Sequence, residues 1–153
     1  MTMRRVSSAI AIATFLAAGA VHAFEAAGAD IIGLRLGMSE ADVNARLAHQ
    51  GYVVTSTDGT IRANTMDGRL QIALSADRGV TEISYAFYGR GAGAPAKIHE
   101  AIIIRFGDPD QANPATWCRT VGRDGICPRD QASLTFLPDP LTLRLTAGQG
   151  RQR

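Results

Sequence analysis

Cysteine is scarce in this sequence: its 153 residues include only Cys118 and Cys127. Because neither stands near the N-terminus, the chain lacks the residue through which a bacterial lipoprotein carries its lipid. The spacing of the pair excludes a C-x-x-C redox motif, and a zinc site would need two more ligands, for which His49 and His99 are available. The interpretations are a structural disulfide, a free redox pair or half of a metal site, and we favour the disulfide.

Motifs that accompany catalysis are missing as well. The sequence has no G-x-S-x-G nucleophile turn. The glycine-rich run at 89–94 lacks the Gly-Lys-Ser/Thr ending of a phosphate-binding loop and is interpreted as a flexible connector. His49, in the last turn of a predicted helix, and His99, beside Glu100 on a polar helix face, each fit a structural role, with acid or base catalysis as the alternative. We predict no catalytic residue, no metal and no cofactor.

A run of apolar residues long enough to span a bilayer is also absent. The uncharged run at 9–21 is shorter than the roughly 20 residues that a membrane helix needs. Two arginines precede it, and Val21-His22-Ala23 places compact residues at the −3 and −1 positions of a cleavage site. The pattern predicts a signal peptide at 1–23, cleaved before Phe24, with an uncleaved anchor as the alternative.

Cleavage would leave the mature chain without net charge. The sequence has 16 basic and 14 acidic side chains, and the two arginines of the signal peptide leave with it. A neutral chain has no long-range field for nucleic acid or anionic lipid, so we predict neither as a partner and no stable membrane anchor. The predicted location is periplasmic or secreted. Oxidising conditions there favour a disulfide between Cys118 and Cys127, across a hairpin with its turn at 122–125.

Two helices are predicted from their ends. Ser39 and Asp42 form a capping box at the start of the first helix, which runs over 39–50 and stops at a glycine. Pro95 opens the second helix, which runs over 95–106. Because the second helix is the more apolar of the two, we expect it to be the more deeply buried.

Alternating apolar and polar residues predict antiparallel strands after each helix, with one face apolar and the other small or polar. The fold class is therefore α+β, with two pseudo-repeats at 33–88 and 95–146. Each repeat is a helix followed by about four strands, and the two share one sheet or core within a single domain at 24–147. Residues 148–153 are expected to form a flexible tail. The predicted strands lie at 52–56, 60–64, 70–75, 83–87, 116–121, 126–127, 134–137 and 141–146.

The segment at 33–47 reads Gly-Leu-Arg-Leu-Gly-Met-Ser-Glu-Ala-Asp-Val-Asn-Ala-Arg-Leu, a Gly-Met-Ser run that enters a helix. It resembles the opening motif of small exported domains related to β-lactamase inhibitor protein and to the small lipoprotein of the outer-membrane β-barrel assembly machinery. The tandem plan of helix and sheet is similar to the inhibitor protein in particular. The resemblance implies a non-enzymatic, protein-binding module of the cell envelope.

Aromatic and arginine side chains most often anchor a protein interface. The candidate binding residues are Trp117, Tyr88, Arg90 and Tyr52, with core packing against the disulfide as the alternative for Trp117. The predicted function is a soluble, non-catalytic periplasmic module that binds or inhibits another envelope or secreted protein. The alternative is a small periplasmic hydrolase or ligand-binding protein with a pocket between the repeats. An open polar sheet face bearing Tyr or Trp would favour the first function. A closed pocket with a histidine beside a carboxylate would favour an enzyme.

Overall fold

The structure is a computed structural model that describes residues 24–26, 28–89 and 91–149. The predicted signal peptide at 1–23, the candidate Arg90 and residues 150–153 of the predicted tail lie outside the described residues. Two helices and eight strands follow in the order α1 Glu40–His49, β1 Val54–Thr57, β2 Thr60–Asn64, β3 Gly68–Ser75, β4 Gly79–Phe87, α2 Ala94–Phe106, β5 Gln111–Ala112, β6 Ala115–Cys118, β7 Ser133–Pro138 and β8 Leu141–Thr146.

Helix α1 begins where the capping residues predict. The Ser39 hydroxyl accepts a hydrogen bond from the Asp42 amide at 3.2 Å, which satisfies one of the free donors of the first turn. The Ser39 hydroxyl donates a hydrogen bond to the Asp42 carboxylate at 2.7 Å. In a capping box the donor to this carboxylate would be the Ser39 amide. Val43 and Leu47 are fully buried on the inner face. The predicted helix at 39–50 is confirmed.

Helix α2 has the predicted bounds but not the predicted burial. Pro95 lies in its first turn, and the helix ends at Gly107, whose φ of 82° suits a residue without a side chain. Ile102 is its one buried residue, whereas Ile104 is 80% exposed. The expectation that α2 is the more deeply buried helix is therefore wrong, because its apolar side chains at 98, 103 and 106 are only half-buried against the core and part of its inner face lines a cavity.

The eight strands form one antiparallel sheet in the order β1-β2-β3-β4-β8-β7-β6-β5. Strand β4 pairs with β8, which joins the first four strands to the last four. The α+β class is confirmed. The single sheet agrees with the predicted sharing of one sheet or core, but the two helix-plus-four-strand repeats are not confirmed, because the helices are not paired with separate strand sets.

Side chains alternate between the two faces of the sheet, since successive residues of a strand point in opposite directions. One face forms the core with the inner sides of both helices. The cross-strand register places fully buried side chains in one row of this core face, namely Ile61, Ile72, Ile83, Leu145, Leu134 and Trp117.

The last third of the chain corrects four details of the prediction. Residues 126–127 form no strand, because the amides of Ile126 and Cys127 donate to the side chains of Asp124 and Gln111 instead of to a neighbouring strand. The predicted strand at 116–121 ends at Cys118, and the short strand β5 was not predicted. Residues 148–149, at the start of the predicted tail, contact the chain, since the Gln149 amide donates to the Arg129 carbonyl at 2.9 Å.

Candidate functional site

Trp117 belongs to the core. Its side chain is fully buried, and its indole Nε1 donates a 2.8 Å hydrogen bond to the carbonyl of Gly107, at the end of α2. Across the strand pair it meets Leu134 on the core face. A fully buried indole cannot anchor a partner, so the prediction of Trp117 as a binding residue is wrong. The alternative of core packing is correct, but the disulfide lies on the other face of the sheet, because Cys118 follows Trp117 in the same strand.

Tyr88 and Tyr52 lie in the other half of the sheet. Tyr88 follows β4 and is 41% exposed; its amide donates to the Asp67 carbonyl at 2.8 Å. Its hydroxyl lies 3.4 Å from Asn64 Oδ1, at the end of β2. Tyr52 precedes β1 and is half-buried against the core. The structure therefore brings Tyr52 and Tyr88 to one end of the sheet, away from Trp117.

Exposed apolar side chains lie at that same end. Val53 is 84% exposed just before β1, and Met66 is 93% exposed in the turn between β2 and β3. Together with Tyr88 they form what we call the turn-end patch, defined by Val53, Met66 and Tyr88. Large exposed apolar residues gathered at one place are typical of an interaction surface.

Neither candidate histidine meets a catalytic partner among the described residues. His49 is exposed at the end of α1. His99 is not on a polar face, because its ring stacks on Phe136 at 5.0 Å between centroids and meets the edge of Trp117. Its Nε2 is buried without a hydrogen-bond partner in the described structure. Within 24–26, 28–89 and 91–149, no group of three or more His, Cys, Asp and Glu residues could hold a metal ion.

The second face of the sheet, which we call the open face, is polar across all eight strands. Its exposed side chains include Arg62, Gln71 and Arg144. The cross-strand register aligns them in a row with polar residues only: Thr55, Arg62, Gln71, Ser84, Arg144, Thr135, Thr116 and Gln111. With neighbouring strands about 4.8 Å apart, this row is roughly 34 Å long.

Charge on the strands of the open face is predominantly positive. Alternation places Arg62, Arg69 and Arg144 on this face, against Glu82 as the acidic residue. Glu82 Oε1 lies 3.7 Å from Arg144 Nε, so the one acidic side chain of these strands is paired with Arg144. Arg62 and Arg69 have no ion pair with a described residue. A chain that is neutral after the predicted cleavage therefore presents a basic face.

A cavity of about 620 Å³ lies on the β8 to β5 side of the open face. Its floor consists of strand residues, and its walls are the loop after β6 and the segment after β8. Arg78 and Arg129 lie at its wall and Glu82 in its floor. Polar residues of the floor include Gln111, Thr116, Ser133, Thr135 and Thr146.

The disulfide holds one wall of this cavity. Cys118 and Cys127 are bonded to each other, so the predicted structural disulfide is confirmed. Cys127 lies in the loop after β6, and its amide donates to Gln111 Oε1 at 2.9 Å. The bond thus fixes the loop beside β5 and over the edge of the open face, and it does not bridge a hairpin as predicted.

A second cavity, of about 310 Å³, lies beneath α2 on the core side. Ile98, Ile102 and Phe106 of the helix line it, opposite Tyr85 and Phe87 of β4. We call it the helix cavity. Most of its wall is apolar, and neither His49 nor His99 lines it.

Two acidic residues border the helix cavity in different states. The Asp30 carboxylate accepts hydrogen bonds from the Gly33 amide at 2.8 Å and from Arg105 at 2.7 Å. Burial alone would raise the pKa of Asp30, but these hydrogen bonds and the Arg105 charge hold it below its usual value. The Asp67 carboxylate has no hydrogen bond or ion pair with any described residue.

Tyr85 lines the helix cavity together with Asp30 and Asp67. Its hydroxyl lies 2.6 Å from Thr65 Oγ1. Burial raises the pKa of Tyr85, and Asp67, Tyr52 and Tyr88 raise it further, against the opposing effect of the Thr65 hydrogen bond. The phenol therefore keeps its proton at neutral pH and remains a neutral hydrogen-bonding group.

Sequence reasoning did not single out Asp67, Asp30 or Arg105. Asp30 and Arg105 lie 75 positions apart, and the former precedes the first helix while the latter ends the second. Asp67 lies in the connection between β2 and β3, and no local pattern shows that this connection borders a cavity. Only the tertiary structure brings these residues together.

The fold and its two cavities define a small α+β protein with an open antiparallel sheet face. No protein-family model, curated protein or solved structure is significantly similar to this chain. Among the described residues, no helix is long and apolar enough to cross a membrane.

Proposed function

We propose that this protein is an exported, non-catalytic module that binds or inhibits another envelope or secreted protein through the open face of its sheet. The predicted signal peptide at 1–23 and cleavage before Phe24 belong to this proposal. The disulfide supports it, because such bonds persist mainly in oxidising compartments.

The observation that carries the proposal is the polar row across the eight strands, which is exposed at Thr55, Arg62, Gln71 and Arg144 and becomes the floor of the cavity towards β5. Strands of six residues are about 20 Å long, so the open face offers roughly 700 Å². A standard protein interface buries about 800 Å² on each partner. The open face is therefore large enough to carry most of one interface.

Its composition suits a partner rather than a substrate. Arg62 and Arg69 supply exposed positive charge, which favours a partner with acidic side chains. The turn-end patch, with Tyr88 beside Asn64, supplies apolar anchors at one end, and the cavity walled by the disulfide loop can take a partner side chain at the other.

We further propose that the chain consists of two related halves, 33–88 and 95–146. Each contributes one helix and four consecutive strands in chain order. This arrangement is consistent with the tandem plan of the inhibitor-like domains, and it would make the open face a composite of both halves.

Affinity capture from a periplasmic extract tests the proposed surface. The wild-type protein and an Arg46→Ala control, altered on the helix side, should retain the same acidic partner. The double variant Arg62→Ala/Arg69→Ala should lose most of that partner, because it removes two exposed charges from the open face. Equal recovery by all three proteins, or recovery of no partner, would count against the proposal.

The second candidate function is that of a small hydrolase or ligand-binding protein. The observation that favours its ligand-binding form is the apolar helix cavity, between the segment before α1 and helix α2. The absence of a histidine from the described wall of that cavity gives no support to the hydrolase form.

A further inference from the structure

We infer that the helix cavity binds a small organic cation, with an apolar body that enters the cavity and an amine that meets Asp67. This inference rests on the ligand-binding function given second above, and it is independent of the open face. A cavity of about 310 Å³ lies at the lower end of the range for small-molecule sites, which favours a small ligand over a folded partner.

The cavity is built into the fold. Helix α2 stands over the sheet with Ile98 and Phe106 only half-buried, although its sequence would allow a tightly packed face. On the opposite side the chain turns sharply at Ile32, which has a positive φ of 50°. That conformation is rare for a β-branched residue, and its carbonyl is held by Gln50 Nε2 at 3.0 Å. The turn places Ile32 in the cavity wall.

The sign of the charge follows from the polar groups at the wall. Arg105 is the cation there, but it is paired with Asp30 at 2.7 Å and stacked over the Phe106 ring at 5.0 Å. Asp67 has no such partner among the residues described. Among the charged groups of the described wall, Asp67 is thus the one without an ion pair, and its negative charge attracts an amine and repels a carboxylate.

Aromatic rings strengthen the preference for a cation. Tyr85 and Phe87 both line the cavity, with ring centroids 4.8 Å apart in an edge-to-face arrangement. The faces of aromatic rings attract positive charge, most strongly where water is partly excluded. Asp67 lines the same cavity and its charge acts on Tyr85, so the carboxylate and the rings favour a cation in the same space.

Isothermal titration calorimetry on the protein purified after export tests this inference with two probes of equal length. The probes are 4-phenylbutylammonium and 5-phenylpentanoate, which share a phenyl ring and four methylenes. We expect the ammonium probe to bind and the carboxylate probe to show no measurable binding. Asp67→Asn should weaken the ammonium probe by about fivefold, as expected for a partly exposed ion pair.

Two matched variants locate the probe. Ala101→Phe places a ring in the cavity and should abolish binding, whereas Ala96→Phe, on the same helix but not in the cavity wall, should leave it unchanged. Both alanines border solvent, and circular dichroism of each variant reports its folding.

The inference would be overturned if the carboxylate probe bound more tightly, if both probes bound equally, or if neither probe bound. It would also be overturned if the ammonium probe still bound to Ala101→Phe. Affinity capture by Ala101→Phe separates the two functions. A partner retained by this variant leaves the open-face proposal intact, whatever the titration shows.

Discussion

At the scale of single residues, the Asp30 carboxylate has the clearest electrostatic role. It joins the segment before α1 to the end of α2 through Arg105, and it also caps the turn at Gly33. Two hydrogen bonds to one charged group make the folded protein prefer the ionised form. Stability should therefore depend on the protonation of Asp30.

We predict that Asp30→Asn lowers the free energy of unfolding by about 1 kcal/mol at pH 7, an estimate limited by solvent screening of the pair. The folded pKa of Asp30 is lowered from 3.8, so its contribution is present above about pH 4 and is lost as pH falls through the folded value. Urea unfolding of both proteins between pH 7 and pH 2 measures the difference.

The control is Asp58→Asn, which changes an exposed carboxylate that has no ion pair among the described residues. Its effect should stay within about 0.5 kcal/mol at every pH. A difference between wild type and Asp30→Asn that persists at pH 2, or that is absent at pH 7, would show that the carboxylate is not the cause.

At the scale of elements, the loop after β6 depends on the disulfide. The loop has no strand of its own, and the bond to Cys118 and the hydrogen bond from Cys127 to Gln111 hold it beside the sheet. The same loop forms a wall of the open-face cavity. Stability and the shape of the proposed binding surface are therefore linked through one bond.

Reduction of the disulfide should lower the free energy of unfolding by about 2–3 kcal/mol, because it releases a constraint on the unfolded chain. Amide exchange at 126–127 and 129 should accelerate more than exchange in β3, which is far from the bond. Denaturant titration with exchange mass spectrometry checks both effects.

The control is the double variant Cys118→Ala/Cys127→Ala, on which the reductant should have no effect. Unchanged unfolding free energy of the wild type after complete reduction would contradict the structural role of the bond.

At the scale of the whole molecule, the sequence predicts those features that depend on local patterns. Capping at Ser39 and the glycine after Phe106 locate the helix ends, and alternation locates seven of the eight strands. The same alternation predicts a polar second face. Each of these signals is contained within a short stretch of chain.

The remaining features depend on contacts between distant segments. Composition predicts that α2 is buried, but it does not show that the helix meets the sheet at His99 and leaves a cavity beside Ile98 and Phe106. Trp117 is of a residue type that often anchors an interface, yet it is buried beneath the end of α2, where its indole donates to the Gly107 carbonyl. Cysteine spacing predicts the disulfide, whereas the position of Cys127 beside β5 depends on tertiary packing.

The open face and the helix side lie on opposite surfaces of one sheet, so a position-specific probe can distinguish them. Gln71 is exposed at the middle of the open face, and Ala45 is exposed on α1. A photoreactive amino acid at either position leaves the core untouched. In cells that express the full chain, irradiation should join a partner protein to the chain labelled at Gln71 and not to the chain labelled at Ala45. Cross-links from Ala45 alone, or equally from both positions, would contradict the assignment of the open face as the binding surface.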